Sequence, residues 1–221
     1  MRQNCYKEVK EAMKDKGVSL VVVKRLPRYY RYLDDLLSKN ITRISSTELS
    51  KKMGVTASQI RQDLNCFGGF GQQGYGYNVE MLHEKIGSIL GLDRGYKMII
   101  VGAGHLGHAL ANHHNFQKRG FRLVGIYDTS PSIIGKEIAG MVVEDYEKIE
   151  KSIEEKKPDI AILAVPKAAV NDVAVRLMNA DVRSFLNFTY AELSLPNDVI
   201  VENVHISDTL MTLAYRISEN S

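Results

Sequence analysis

Met98-Ile99-Ile100-Val101-Gly102-Ala103-Gly104-His105-Leu106-Gly107-His108-Ala109-Leu110-Ala111 is the stretch from which the rest of the chain can be read. Four apolar residues give a strand signal, the glycines follow in a G-x-G-x-x-G spacing, and a helical pattern continues from His108. Between a strand and a helix that spacing has mechanical sense. It permits a tight turn, close approach of backbone to a pyrophosphate, and packing of helix on strand. A second strand signal, Phe121 to Tyr127, ends in Asp128, 21 residues past the last glycine. A carboxylate there accepts hydrogen bonds from adenosine ribose hydroxyls and repels a 2′-phosphate. The reading is a site for NAD(H) rather than NADP(H), with Gly102, Ala103, Gly104, His105, Leu106, Gly107, Asp128 and Thr129 as its candidate residues.

Working outward, short β-branched runs alternate with helical stretches from about residue 91: KMIIVG, FRLVGIYD, IAILAVP, SFLNF, VIVENV. Alternation of this kind predicts βαβ units, hence an α/β domain of the Rossmann type with a doubly wound, mostly parallel sheet. Ala164-Val165-Pro166 and Asn187-Phe188 close later strands at the carboxyl edge, where ligands bind, and are further cofactor candidates. They supply apolar walls and one amide, not the acid–base pair that a hydride-transferring enzyme needs. His105, His108, His113 and His114 crowd the first helix or its loop, and His105-x-x-His108 lacks a Cys or carboxylate partner, so no metal is expected.

Ahead of the linker Gly91-Leu92-Asp93-Arg94-Gly95 the texture is different. Leu26, Tyr30, Leu33 and Leu37 mark one face of an amphipathic helix, with Pro27 as a kink point. Ser45 and Glu48 form a capping box for a short helix ending at Met53 and Gly54. Thr56-Ala57-Ser58-Gln59 repeats the pattern for a second helix reaching about Cys66. Two capped helices joined by such a turn match a helix-turn-helix. Ile60, Leu64 and Phe67 anchor the second helix, leaving Ser58, Arg61, Gln62 and Asn65 opposite. Arg pairs with guanine and Gln with adenine in the major groove; the exposed polar face of any small helical domain is the competing reading. Phe67-Gly68-Gly69-Phe70-Gly71-Gln72-Gln73-Gly74-Tyr75-Gly76-Tyr77 then suits a β-ribbon, tight at Gln72-Gln73-Gly74, its aromatics covering the core. That is the wing of a winged helix, against a plain hairpin or a phosphate loop; the last lacks the Lys-Ser/Thr of a P-loop.

Of 221 residues 44% are hydrophobic and 25% charged, which excludes a disordered chain. No apolar run approaches the ~20 residues of a membrane span, and the charged N-terminus has no signal-peptide core. Two distant cysteines, Cys5 and Cys66, give no disulfide framework. A cytoplasmic location is expected. Residues 1–90 hold 15 Lys and Arg against 9 Asp and Glu, leaving 14 against 17 for the remainder. A basic front half suits a polyanionic partner, although lysine excess also serves solubility.

In this order, the segments Arg25-Leu26-Pro27-Arg28-Tyr29-Tyr30-Arg31, Arg61-Gln62-Asp63-Leu64, Phe67 to Tyr77, Gly102 to Gly107, Leu163 to Pro166 and Leu186-Asn187-Phe188 resemble the Rex family of redox-sensing transcriptional repressors. The resemblance covers nearly the whole chain from Arg25. It implies a winged-helix DNA-binding domain at 1–90, an NAD(H)-binding Rossmann domain at 91–206, and a C-terminal helix at 207–221 swapped across a homodimer. A helix packing within its own subunit is the alternative. It further implies a non-catalytic repressor that binds double-stranded inverted-repeat operator DNA when NAD+ prevails and releases it with NADH. DNA contacts would fall at Ser46, Thr56, Ser58, Gln59, Arg61, Gln62, Gln72, Gln73 and Gly74, and the switch at Arg31, His113, Phe116, His205 and Ile206. Several positions depart from the family: Gln62, Gln72 and Gln73 stand where cations are common, His113 and His205 where Tyr and Asp are, and Tyr190 where Pro is. Missing cations predict weaker or more salt-sensitive DNA binding, or an altered operator. The two histidines predict pH-dependent or blunted sensing. An NAD-dependent dehydrogenase with a helical appendage and a relative that has lost nucleotide response are the other readings.

Overall fold

Ser19 accepts a hydrogen bond from the backbone N–H of Val21 and so opens the first helix of a computed structural model that describes residues 19–68, 71–72 and 75–220. The chain divides into two units after Arg94. In the first, α1 (Leu20–Leu37) runs through Pro27 as one helix, forgoing the bond that the missing N–H would make. It buries Leu26, Tyr29, Leu33 and Leu36, whereas the expected Tyr30 and Leu37 are only partly covered. Both sets have helical spacing; the observed one carries the Tyr29 hydroxyl to Asp63.

After β1 (Arg43–Ile44), α2 (Ser46–Met53) begins at the expected capping box: the Glu48 N–H donates to Ser45 Oγ at 3.1 Å and the Ser45 N–H to Glu48 Oε2 at 2.9 Å. Gly54, at φ 66°, ends it in the left-handed conformation that glycine adopts without strain. Thr56 caps α3 (Ala57–Asn65) by accepting from the Gln59 N–H. Strands β2 (Gly71–Gln72) and β3 (Gly76–Asn78) pair antiparallel, Gly71 with Tyr77 and Gln72 with Gly76, and β3 also pairs with β1. Two-residue β1 is too short for a periodicity to reveal. Phe67 and Tyr77 are buried as expected, but Tyr75 is 70% exposed and does not cover the core. Helix α4 (Val79–Ile89) completes this unit, whose core includes Leu26, Leu33, Leu49, Ile60, Leu64, Leu82 and Ile86.

The second unit runs β4 (Tyr96–Val101), α5 (His105–Ala111), α6 (Asn115–Lys118), β5 (Phe121–Asp128), β6 (Glu137–Ile138), β7 (Met141–Asp145), a 3-10 turn (Tyr146–Lys148), α7 (Ile149–Lys156), β8 (Ile160–Leu163), α8 (Val170–Asn179), β9 (Ser184–Asn187), β10 (Ile200–Asn203) and α9 (Ile206–Ser218). Its sheet has the order β10-β9-β8-β4-β5-β7-β6, parallel except for β6. Apolar residues cover both faces: Ile99, Val101, Tyr127 and Leu163 on one, Met98, Ile100, Ile126 and Ile162 on the other. The chain winds outward from β4 to β7, then returns to β8 beside β4. This reversal opens a crevice at the carboxyl ends of β4 and β8. The β6–β7 hairpin was not expected from the sequence. No residue of α9 is buried, and Leu210, Met211, Leu213, Tyr215 and Ile217 are each at least 51% exposed.

Candidate functional site

In the first unit, Ile60 and Leu64 are buried beneath α3, and Ser58, Arg61, Gln62 and Asn65 stand exposed on its outer face, where with Cys66 they line one shallow hollow. Arg61 Nη1 donates to Ser46 Oγ at 3.1 Å, so Ser46 on α2 joins the same surface. Thr56 uses its hydroxyl as the cap of α3. Gln59 behaves differently from the expectation: it is half-buried and its Nε2 donates to Asp63 Oδ1 at 2.8 Å, which turns its amide inward. Gln73 and Gly74 lie outside the described residues, and Gln72 is described by its backbone pairing with Gly76. Arg31 is exposed on α1.

What orients α3 is a group that periodicity did not single out. Asp63 is completely buried and accepts from Arg25 Nη2 at 2.6 Å and Nε at 2.7 Å, from Tyr29 Oη at 2.6 Å, and from Gln59. Burial alone would raise the pKa of this carboxyl; the donors from Arg25, Tyr29 and Gln59 outweigh it and hold the group below its usual range. The same burial, helped by the hydrogen bond to Asp63, pushes the Tyr29 phenol up. Arg25 and Tyr29, four residues apart on α1, thus clamp the outer helix of the pair. An Asp inside a polar stretch of sequence was the only available signal.

In the second unit the glycine loop shows the three mechanical roles. A Cβ on Gly102, at φ 98°, would fall 2.4 Å from the Ala164 carbonyl oxygen, and one on Gly107 would fall 1.8 Å from that of Gly102. A Cβ on Gly104 would meet nothing within 4 Å, so the backbone there is open to a pyrophosphate. Asp128 Oδ2 accepts the Ala103 N–H at 2.7 Å and Oδ1 the Ser130 N–H at 2.8 Å, so one carboxylate holds both the glycine loop and its own turn. Lone pairs remain on both oxygens for ribose hydroxyls. A cavity of about 480 Å³ brings together Gly102, Gly104, Asp128, Thr129, Tyr146, Ala164, Val165, Pro166, Ala169 and Val173. These residues fit an adenine dinucleotide. His105 and Leu106 are exposed at the start of α5. A larger hollow, about 1370 Å³, lies at the opposite ends of the strands, where Arg176 is paired with Glu150 and Arg183 with Asp181.

Asn187 is the clearest departure. It is fully buried; its Nδ2 donates to the Ala191 carbonyl and to Asn203 Oδ1, both at 2.8 Å, and its Oδ1 accepts from Thr189 N–H and Oγ1. An amide with both hydrogens and its oxygen engaged shapes the loop 187–191 instead of offering itself to a ligand. Phe188 packs against the apolar side of the sheet. His205 Nε2 lies 3.1 Å from the Thr189 carbonyl oxygen, with its ring stacked on Tyr190, and His113 meets Phe116 edge to face at 4.7 Å. Ile206 is exposed. Among the described residues no cluster of His, Cys, Asp and Glu could hold a metal ion, and no helix is long and apolar enough to cross a membrane.

Residues 17–65 match the family described as a putative DNA-binding protein N-terminus, and residues 93–191 match a CoA binding domain. A redox-sensing transcriptional repressor Rex of Thermoanaerobacter sp. (strain X514) is 54% identical over 202 residues, covering 91% of this chain and 90% of its own. One from Caldicellulosiruptor saccharolyticus is 51% identical over 206 residues, 93% and 94% of the two chains. Among solved structures, RSP in complex with β-NAD+ and operator DNA is 54% identical with a TM-score of 0.86 over 92% of this chain and 94% of that one. RSP in complex with β-NADH is 51% identical, also at 0.86, over 92% and 95%.

Proposed function

This chain belongs to the Rex family of redox-sensing transcriptional repressors, and from that membership we propose how its two units divide the work. It is a regulator and not an enzyme: it binds operator DNA and senses the NADH/NAD+ ratio. The outer face of α3, with Ser58, Arg61 and Gln62, enters the major groove, Ser46 and Thr56 lie at its margin, and the wing at Gln72-Gln73-Gly74 follows the backbone. Gln59 acts on this surface through Asp63, not on a base. The cavity beside Gly102, Gly104 and Asp128 holds NAD(H), with Ala164, Val165 and Pro166 as its wall.

Half-site spacing in an inverted repeat calls for a two-fold protein. Helix α9 is the candidate for the exchange between subunits, because its apolar residues stand exposed among the described residues. Oxidised nicotinamide carries a charge that the reduced ring lacks, so an apolar wall favours NADH through the desolvation cost of the cation. Moving a dimer from about 1:99 to 99:1 between two states takes roughly 10⁴-fold differential affinity. Arg31, His113, Phe116, His205 and Ile206 are the residues through which this preference reaches the DNA-binding units. Such a regulator works in the cytoplasm.

The observation that carries the proposal is the presence, in one chain, of an outward-facing polar helix and a glycine loop held by Asp128. The test is fluorescence-anisotropy binding of an inverted-repeat duplex with NADH, with NAD+ and with neither. Loss of the complex with NADH alone is the expected result; indifference to both nucleotides overturns the switch and leaves a plain DNA-binding protein.

A further inference from the structure

Gln72 and Gln73, at the turn of the wing, carry no charge, yet a hairpin that follows a polyanionic backbone gains its affinity chiefly through cations. Strand β1 brings one. It pairs antiparallel with β3, Arg43 opposite Asn78 and Ile44 opposite Tyr77. A Cβ on Gly76 would fall 2.6 Å from the Ile44 carbonyl oxygen, so β1 and the hairpin meet backbone to backbone. Ile44 is buried, and the alternation of side chains along a strand puts Arg43 on the exposed side. Its guanidinium does not stay level with Asn78. Nη1 donates to the Tyr75 carbonyl oxygen at 3.4 Å, and the guanidinium carbon lies 6.0 Å from the centre of the Tyr75 ring. From Asn78 to Tyr75 is a run of about 10 Å along the strand, so the charge is carried toward the turn. Tyr75, which covers no core, gives the cation a flat surface to lie along. No carboxylate pairs with Arg43 among the described residues, and its Nε and Nη2 have no partner there. That edge of a guanidinium is a pair of parallel donors matched to two oxygens of a phosphate.

We propose that Arg43 is a phosphate-binding residue of this wing, its Nε and Nη2 taking two oxygens of one DNA phosphate while Tyr75 holds the guanidinium toward the turn. The assignment rests on the reading of the first unit as the DNA-binding unit. It adds a residue that belongs neither to the helix-turn-helix nor to the hairpin, and it restores one of the positive charges that Gln72 and Gln73 withhold. A phosphate is the same at every base pair, so the contact adds affinity without sequence preference.

Arg43→Gln removes the charge and keeps hydrogen-bonding capacity; Arg43→Lys keeps the charge and loses the fork. Fluorescence anisotropy of the full-length protein makes the test, with an inverted-repeat duplex and a scrambled duplex of the same composition, each from about 50 to about 200 mM salt. Thermal melts of all three proteins accompany it. In R43Q the slope of log K against log salt should flatten by about 0.9 for each contact, hence by about two for a dimer. Both duplexes should lose at least about tenfold in affinity at the low-salt end, by the same factor. R43K should keep the slope and bind less tightly than the wild type. All three proteins should melt together, since Arg43 is exposed. An unchanged slope in R43Q, a loss confined to the inverted repeat, or the same flattening in R43K would each overturn the assignment. An R43Q melt well below that of the wild type would overturn it too, by making Arg43 a structural strap of the wing. If the wild type retains neither duplex, the reading of the first unit itself fails and takes this assignment with it.

Discussion

Replacing Asp63 by Asn tests the clamp under α3 with almost no change in volume. The wild-type carboxylate is fully buried and receives four donors, two of them from one guanidinium at 2.6 and 2.7 Å. An asparagine keeps one acceptor oxygen and turns an NH₂ toward the Arg25 fork, leaving a buried cation without its counter-charge. Removing one member of a buried pair costs 3–5 kcal/mol as a rule, and the Arg25 side chain is 27% exposed, which places the expected loss near the lower end, about 3 kcal/mol. Since 1.4 kcal/mol is a factor of ten, opening of α3 should become roughly a hundredfold more frequent. Hydrogen–deuterium exchange of peptides covering 57–65 reads this directly, with peptides of the parallel sheet as the internal control. Exchange in α3 within about 0.5 kcal/mol of wild type would refute the reasoning, since surface substitutions stay within that range. The pH dependence has a definite sign. The folded pKa of Asp63 is depressed, so its contribution is complete above the unfolded value of about 4 and is lost as pH falls through the lower folded value. Neutral and mildly acidic solutions should leave the clamp intact.

Three further outcomes are expected. Gly107→Ala places a methyl 1.8 Å from the Gly102 carbonyl oxygen, so the glycine loop must shift and NADH affinity should fall by at least about tenfold in a fluorescence titration; an unchanged Kd would mean the loop does not cradle the nucleotide. Leu213→Glu puts a charge on the uncovered stripe of α9, and sedimentation equilibrium should show monomers with an unaltered circular dichroism spectrum; a persistent dimer would place the interface elsewhere. Gln62→Lys should tighten operator binding and steepen the slope of log K against log salt by about one unit per added phosphate contact; by the same relation, the missing cations should make native binding weaker but less salt-dependent, not more salt-sensitive as the residue types alone suggested.

Much of the local structure was legible because its causes are local. Ser45 with Glu48, and Thr56 with the Gln59 N–H, close their hydrogen bonds within three residues. The glycine spacing and Asp128 likewise state conformational and electrostatic needs that hold in any chain folding as strand, turn and helix. Amphipathic spacing was less exact: 26, 30, 33, 37 and 26, 29, 33, 36 are both helical faces, and only the place of Asp63 selects the second.

What the linear chain determined by itself, then, is the two capped helices of the first unit and the strand, glycine turn and helix that open the second, because each follows from interactions spanning a few residues. Tertiary structure decided which polar groups are available. Asp63 meets Arg25 and Tyr29 across 38 and 34 positions, and Asn187 is closed by Ala191 and Asn203. A side chain's free hydrogen-bonding capacity is what remains after its neighbours in space have taken their share, and those neighbours are set by packing.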